Sequence, residues 1–344
     1  MNSARLLALE TSCDETAAAV LTAEGAVLSS VVASQIEAHR IYGGVVPEVA
    51  SRNHILHMRG LVEQAVEEAG VRLADIGAFA ATSGPGLVSS LLIGSTTAKA
   101  LALAEGKPFL AINHLEGHLL SPFMPAGEEN PESLPEIPSH LALIVSGGHT
   151  MLLHVRGVGD YKLLGRTRDD AAGEAFDKVA KMLGLPYPGG PEIDRRAKSG
   201  RRDAYDFPRS MMERGNFEFS FSGLKTSVLY LLPRLDLTSE HVMADVCASF
   251  QEAVVEVLVE KTVRAARQCG EKLVAVSGGV SCNSRVRELF AKRCRDMRLS
   301  LKLAQPGYST DNAAMIGFAA VQRWRAGYSS PLEVDVDPNL PLVG

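Results

Sequence analysis

A two-part unit occurs twice in this chain, and that duplication constrains the fold more than any other feature. Residues 6–21 (LLALETSCDETAAAVL) are an apolar run, a turn rich in hydroxyls and carboxylates, and a second apolar run of small residues. This is the pattern of a β-hairpin. Residues 141–155 (LALIVSGGHTMLLHV) have the same form, with Ser146, Gly147, Gly148, His149 and Thr150 at the tip. Each hairpin is followed, after a variable interval, by a strand, a Ser-Gly tip and a helix. The first such segment is residues 79–103 (FAATSGPGLVSSLLIGSTTAKALAL) and the second residues 273–290 (LVAVSGGVSCNSRVRELF). Backbone N–H groups at a glycine tip that opens a helix favour an anion. The pattern predicts two similar α/β lobes, with a nucleotide bound in the cleft at the carboxyl ends of their strands. Strand–glycine–helix units also recur in α/β proteins that bind no nucleotide.

The bounds predicted for the first lobe are residues 1–113 plus 311–344, and for the second 114–310. An insertion is expected at about 160–232, where the repeat is lost and unusual polar motifs gather. Residues 124–138 (MPAGEENPESLPEIP) read as a surface loop before the second hairpin. A chain of 344 residues is long for one core. Its 46% hydrophobic and 22% charged residues are ordinary globular composition.

No apolar run reaches the roughly 18 residues of a membrane span, and residues 1–10 read as a first strand, not a signal peptide. The five cysteines, Cys13, Cys247, Cys269, Cys282 and Cys294, are odd in number and lack a C-x-x-C spacing. A disulfide framework or zinc knuckle is not expected, and a reducing cytoplasm is. The net charge of −5 does not announce a nucleic-acid binder. RNA contact would rest on a partner or on local basic segments such as 194–214 and 285–302, which also read as charged faces of surface helices.

Residues 109–113 read as a strand and His114-Leu-Glu-Gly-His118 as the opening of a helix. Histidines four apart share a helical face, close enough for one cation. Two imidazoles suit zinc or iron, with a carboxylate as the usual third ligand. The candidate is Asp311, at the start of another expected helix. Two ordinary histidines at a helix start would show the same spacing. The zinc-protease motif H-E-x-x-H is excluded, because Glu116 stands two residues after His114, roughly 200° round the helix.

In combination the motifs become specific. They are ETSCDET (10–16), GGVVPEVASRNH (43–54), GPGL (84–87), HLEGH (114–118), SGGHT (146–150), DDAAGEAFDK (169–178), PYPGGP (186–191), FSFSGLKT (219–226), SGGV (277–280) and STDNAAMI (309–316). In this order, across nearly the whole chain, they resemble the bacterial form of the universal tRNA threonylcarbamoyladenosine transferases, related to the Kae and Gcp proteins. Two departures are small-for-small: Ser281 and Cys282 precede Asn283 where the family has two alanines, and Ser309 stands where it often has cysteine.

The resemblance implies an actin-like fold, of the hexokinase and Hsp70 type, built from two duplicated RNase H-like lobes with a nucleotide and metal cleft between them. It implies metal ligands His114, His118 and Asp311, and a nucleotide or acyl-adenylate site at Ile144, Val145, Ser146, Gly147, Gly148, Asp177, Gly190, Asp194 and Asn283. The implied metal is one Fe(2+) per subunit, with Zn(2+) in some preparations. The implied reaction moves the threonylcarbamoyl group of threonylcarbamoyl-adenylate to N6 of the adenosine beside the anticodon, in tRNAs reading codons that begin with A. The implied partners are tRNA, a smaller paralogous actin-fold subunit and a small P-loop ATPase, with no membrane.

The adenylate is a mixed anhydride, so no covalent enzyme nucleophile is needed. The attacking N6 must shed a proton, and a positioned carboxylate can take it. Asp14 and Glu15, at the first hairpin tip, are the candidates; solvated turn carboxylates are the plainer reading of both. Two rival readings remain open from sequence: an actin-fold ATPase or small-molecule kinase, and a non-catalytic scaffold of the modifying complex.

Overall fold

The computed structural model describes residues 4–125 and 131–343. The middle of the loop expected at 124–138 lies outside the described residues, as do the first three residues of the expected first strand.

The first hairpin forms as read. Strands β1 (Arg5–Glu10) and β2 (Glu15–Thr22) pair antiparallel, with Glu10 opposite Ala17. Both are buried along almost their whole length, which is why Leu, Ala and Val run continuously instead of alternating. β3 (Val27–Ser34) pairs with β2 and alternates buried with exposed residues, as a strand with one wet face does. Helices α1 (Ile36–Arg40) and α2 (Pro47–Glu68) follow; α2 opens on a proline, whose missing N–H costs nothing in a first helical turn. β4 (Ile76–Gly84) runs parallel to β1, α3 (Val88–Glu105) ends on left-handed Gly106, and β5 (Phe109–Asn113) runs parallel to β4. Helix α4 (His114–Leu120) starts directly at the end of β5. The sheet order is β3-β2-β1-β4-β5.

The same order is built again from β6 (His140–Val145), β7 (Thr150–Gly157), β8 (Asp160–Arg166), β9 (Leu273–Ser277) and β10 (Ser300–Leu303). Its sheet reads β10-β9-β6-β7-β8, the first order run backwards. Segment 160–166, expected to open the insertion, is therefore the third strand of the repeat, antiparallel to β7. Between β8 and β9 lie α5 (Ala172–Met182), α6 (Gly189–Ala197), α7 (Ser222–Leu231) and the thirty-residue α8 (Glu240–Cys269). α9 (Ser284–Asp296) joins β9 to β10, and α10 (Ala313–Arg325) closes the helical part of the chain. Two mixed sheets of like topology make the actin-like, duplicated fold.

The chain divides into one unit of Met1–Ile137 with Gln305–Gly344, and a second of Pro138–Ala304. Both breaks fall inside the expected second lobe of 114–310, because α4 packs on α10 within the first unit. That unit has its core at Leu7, Leu9, Val20, Met58, Val62, Phe79 and Phe109. In the second, α8 is buried over most of its length and Phe250 meets Phe176 edge to face at 5.2 Å.

Candidate metal centre and the first hairpin tip

The last residue of β5 sets up helix α4. Asn113 Oδ1 accepts the Leu115 N–H at 2.9 Å and caps the helix. Its Nδ2 donates to the carbonyls of Leu340 and Pro341 at 3.3 and 3.2 Å, which fixes the amide's orientation. The helical repeat then stacks His114 and His118 edge to face, ring centres 4.8 Å apart. Gly117 lets α10 come close: a Cβ there would lie 2.8 Å from Ile316 Cδ1. Asn312 caps α10 through the Met315 N–H at 2.8 Å, and Asp311 stands just before it. Its Oδ1 lies 3.1 Å from His118 Nε2 and 3.6 Å from His114 Nε2. One ligand atom from each of His114, His118 and Asp311 falls within 4.8 Å of the other two, an arrangement compatible with a metal ion. Glu116 turns away as its place on the helix requires and pairs with Arg323 at 2.7 Å.

The sequence reading missed Glu10, although it opens the ETSCDET motif. Glu10 is fully buried, and its Oε2 lies 3.1 Å from His114 Nδ1 and accepts the Thr82 hydroxyl at 2.6 Å. Ser12 Oγ also lies 3.1 Å from His114 Nδ1, and the Ser12 N–H donates to Glu10 Oε1. A carboxylate only accepts, so Nδ1 carries a proton in either charge state; in the neutral ring, the form that can bind a metal, Nε2 keeps its lone pair on the side of Asp311 and His118. Burial disfavours a charged imidazole, but the Asp311 and Glu10 carboxylates outweigh it and hold His114 up at about 9. Burial likewise works against a charged Glu10, yet His114 holds its carboxyl below the ordinary value.

Asp14 and Glu15 sit at the tip joining β1 to β2. Three successive tip carbonyls are each held: Ser12 O by the Leu87 N–H at 2.8 Å, Cys13 O by His54 Nε2 at 3.0 Å, and Asp14 O by the Gln35 N–H at 3.1 Å. The GPGL motif explains itself here. A Cβ on Gly86 would lie 2.6 Å from the Ser12 carbonyl oxygen, and one on Gly84 (φ +147°) 1.9 Å from that of Asp337. Only glycine lets α3 begin against the tip on one side and the C-terminal segment on the other. Burial raises both carboxyls, Glu15 to about 7 despite the Ser34 hydroxyl it accepts at 2.8 Å. The other Glu15 oxygen, Oε2, is buried without a hydrogen-bond partner among the described residues.

In the second unit, Ile144 and Val145 end β6 with side chains buried in the sheet, and SGGV closes β9 beside them with Gly278 against the Val145 carbonyl. The Ser146 carbonyl accepts the Gly173 N–H at the start of α5, and exposed Gly147 and Gly148 form the tip. Asp177 accepts the Gly189 N–H at 2.7 Å, beside Gly190; Asp194 accepts the Ser284 hydroxyl at 2.7 Å, beside Asn283. Asn283 Oδ1 caps α9 and its Nδ2 donates to Gln251 at 2.7 Å. The Asn283 amide, expected at the nucleotide site, is thus also a helix cap.

Much of the basic character of 194–214 and 285–302 is used internally. Arg195 and Arg196 pair with Glu192, Arg201 with Asp245, Arg202 with Glu288 and Arg209 with Glu256. Arg285 pairs with Glu252 and Arg293 with Glu260. A phosphate would have to compete with these carboxylates. Among the described residues, no helix is long and apolar enough to cross a membrane.

The family described as "TsaD: tRNA N6-adenosine threonylcarbamoyltransferase" matches residues 26–318. Proteins of the same description from Anaeromyxobacter sp. (strain Fw109-5) and Clostridium botulinum (strain Kyoto / Type A2) are 49% and 45% identical to this chain. These alignments cover 97% and 99% of this chain and 98% of each relative. Among solved structures, full-length HypF in a phosphate- and nucleotide-bound form is 12% identical with a TM-score of 0.61, over 95% of this chain and 56% of that one. Component A of Acidaminococcus fermentans (R)-2-hydroxyglutaryl-CoA dehydratase is 13% identical with a TM-score of 0.54, over 95% of this chain and all of the other. At such identities the structures speak for the fold alone.

Proposed function

The chain belongs to the tRNA N6-adenosine threonylcarbamoyltransferase family, and on that premise we propose how its residues carry out the transfer. The substrates are threonylcarbamoyl-adenylate and the adenosine beside the anticodon of tRNAs reading codons that begin with A; the products are threonylcarbamoyladenosine and AMP. The observation that carries this reading is the convergence of His114, His118 and Asp311, drawn together from residues up to 197 apart by the packing of α4 on α10.

The donor set fits a metal. Two imidazoles and one carboxylate suit Fe(2+), with Zn(2+) as the alternative, and Glu10 orients His114 as a carboxylate behind a histidine ligand does. When bound, the ion supplies Lewis acidity that grips the threonyl moiety and polarises the carbonyl.

Glu15 is the favoured base. Its carboxyl is poised near neutral pH, and its Oε2 has no hydrogen bond to give up before it accepts the N6 proton. Asp14 beside it is the alternative. Ser146, Gly147, Gly148 and the backbone of Ile144 and Val145 would receive the adenylate phosphate, while Asp177, Gly190, Asp194 and Asn283 would line its nucleoside part. Departure of AMP completes the transfer without a covalent enzyme intermediate.

The smaller paralogous subunit is proposed to dock on the first unit. A groove of about 670 Å³ between α2 and α3 is lined by Met58, Val62, Leu73, Leu92, Ile93 and Leu101. The small P-loop ATPase completes the complex, in the cytoplasm. The test is a reconstitution with both partners, the adenylate and unmodified tRNA, read by mass spectrometry of the digested nucleosides. Threonylcarbamoyladenosine should form only with His114 and Asp311 intact. Its absence, with ATP consumed and a small molecule phosphorylated, would refute the reading.

A further inference from the structure

The motif GGVVPEVASRNH ends at His54, a side chain that the reaction above leaves unused. His54 lies on α2 and is completely buried. Its Nε2 lies 3.0 Å from the Cys13 carbonyl and its Nδ1 2.7 Å from the Thr16 hydroxyl. A carbonyl can only accept, so Nε2 carries the proton, and Nδ1 accepts from Thr16. Burial keeps the ring neutral by lowering its pKa. Gln35 completes the arrangement: its Nε2 donates to the Ala50 carbonyl at 3.4 Å and reaches Thr16 Oγ1 at 3.5 Å.

The placement of these bonds matters more than their number. Cys13 immediately precedes Asp14, and Thr16 immediately follows Glu15. One rigid imidazole therefore grips the chain on both sides of the two carboxylates. The other tip carbonyls, Ser12 O and Asp14 O, are held by backbone N–H groups of Leu87 and Gln35. His54 is the only side chain among these three carbonyl contacts, and it ties the tip to the body of α2 across 41 residues.

We infer that His54 is a positioning residue of the transfer: by holding Cys13 and Thr16 it sets where Asp14 and Glu15 stand. The inference rests on the reading of one of those carboxylates as the base. Displacing a catalytic group by about 1 Å costs about 10²-fold in rate. A residue that acts only through the base has nothing further to lose once the base is gone.

The test uses the full reconstituted complex with threonylcarbamoyl-adenylate and unmodified tRNA. It compares His54→Leu, His54→Gln, Glu15→Gln, Asp14→Asn, and His54→Leu combined with whichever carboxylate variant is impaired. His54→Leu should lower kcat about 10²-fold, with KM for the adenylate and bound metal unchanged. His54→Gln, whose amide can still donate to the Cys13 carbonyl, should recover part of that loss. The double variant should be no slower than the carboxylate variant alone. Full kcat in His54→Leu beside an impaired carboxylate variant would overturn the positioning role and leave the base standing. Multiplying losses in the double variant, or loss of metal in His54→Leu, would also overturn it. Full activity in both Glu15→Gln and Asp14→Asn would instead remove the base reading, and this inference with it. Should His54→Leu fail to fold, Thr16→Val breaks one bond at nearly constant volume and carries the same test: a slower kcat that does not multiply with the carboxylate variant supports the role, and full kcat refutes it.

Discussion

Glu10 Oε2 lies 3.1 Å from Nδ1 of His114, although 104 residues of chain separate them. Both are buried, and both face Asp311 electrostatically. The contact fixes the tautomer of one proposed ligand from behind, and the Thr82 hydroxyl and Ser12 N–H fix Glu10 in turn.

Glu10→Gln should therefore weaken metal binding while retaining the fold. An amide keeps the size but removes the charge that makes His114 a good donor. Losses of this kind are typically about 10–100-fold in affinity. Competition with a chromogenic chelator measures the loss; wild-type affinity would show that Glu10 matters only for packing.

Glu15→Gln should lower the transfer rate by about 10²–10⁴-fold, the usual range for a lost general base. In the parent protein the rate should fall as pH drops below about 7, where the Glu15 carboxyl takes up its proton. Stability should move the opposite way. A folded-state pKa raised from 4.5 to about 7 means that the folded protein binds more protons than the unfolded chain between those values. Stability is then lost as pH rises through that window, and Glu15→Gln should flatten the loss. Urea denaturation at both ends of the window, beside a pH–rate profile, checks both halves.

Gly86→Ala should disturb the tip without touching a proposed ligand. Its Cβ would stand 2.6 Å from a backbone oxygen that cannot swing aside. Overpacking of this type costs about 1–3 kcal/mol, and the shift should also lower kcat by moving Asp14 and Glu15. A variant with unchanged melting temperature and kcat would mean that the tip yields more easily than its hydrogen bonds suggest.

Leu92→Glu puts a charge on the wall of the α2/α3 groove, at a position 44% exposed. The isolated chain should keep its melting temperature, because the new side chain can reach water. Co-elution with the smaller paralogous subunit should be lost, since an unpaired charge would be desolvated in the interface. Persistence of the complex would move the docking surface elsewhere.

Local pattern carried much of this protein. Both hairpins, both strand–glycine–helix units and the helix opening at His114 are short-range arrangements, set by alternation, turn chemistry and the 3.6-residue repeat. The third strand β8 was not legible: its burial is irregular along its length, so no clean alternation marked it. The shared face of His114 and His118 follows from spacing alone. What brings Asp311 to that face is the approach of α10 over Gly117, a packing event that no local pattern encodes. The same holds for Glu10 behind His114 and for His54 behind the hairpin tip. A buried carboxylate or imidazole looks in sequence like any other; only folding shows which lone pair or proton it has found, because burial makes an unmatched polar group costly. The internal pairing of Arg285 and Arg293 was hidden for the same reason, as their glutamate partners stand a full helix away on α8. The sequence by itself determined the repeated elements and the kinds of chemical group available, since both depend on near neighbours. The tertiary structure decided which of those groups meet and in what protonation state, since that depends on packing between segments as far apart as β1 and α10.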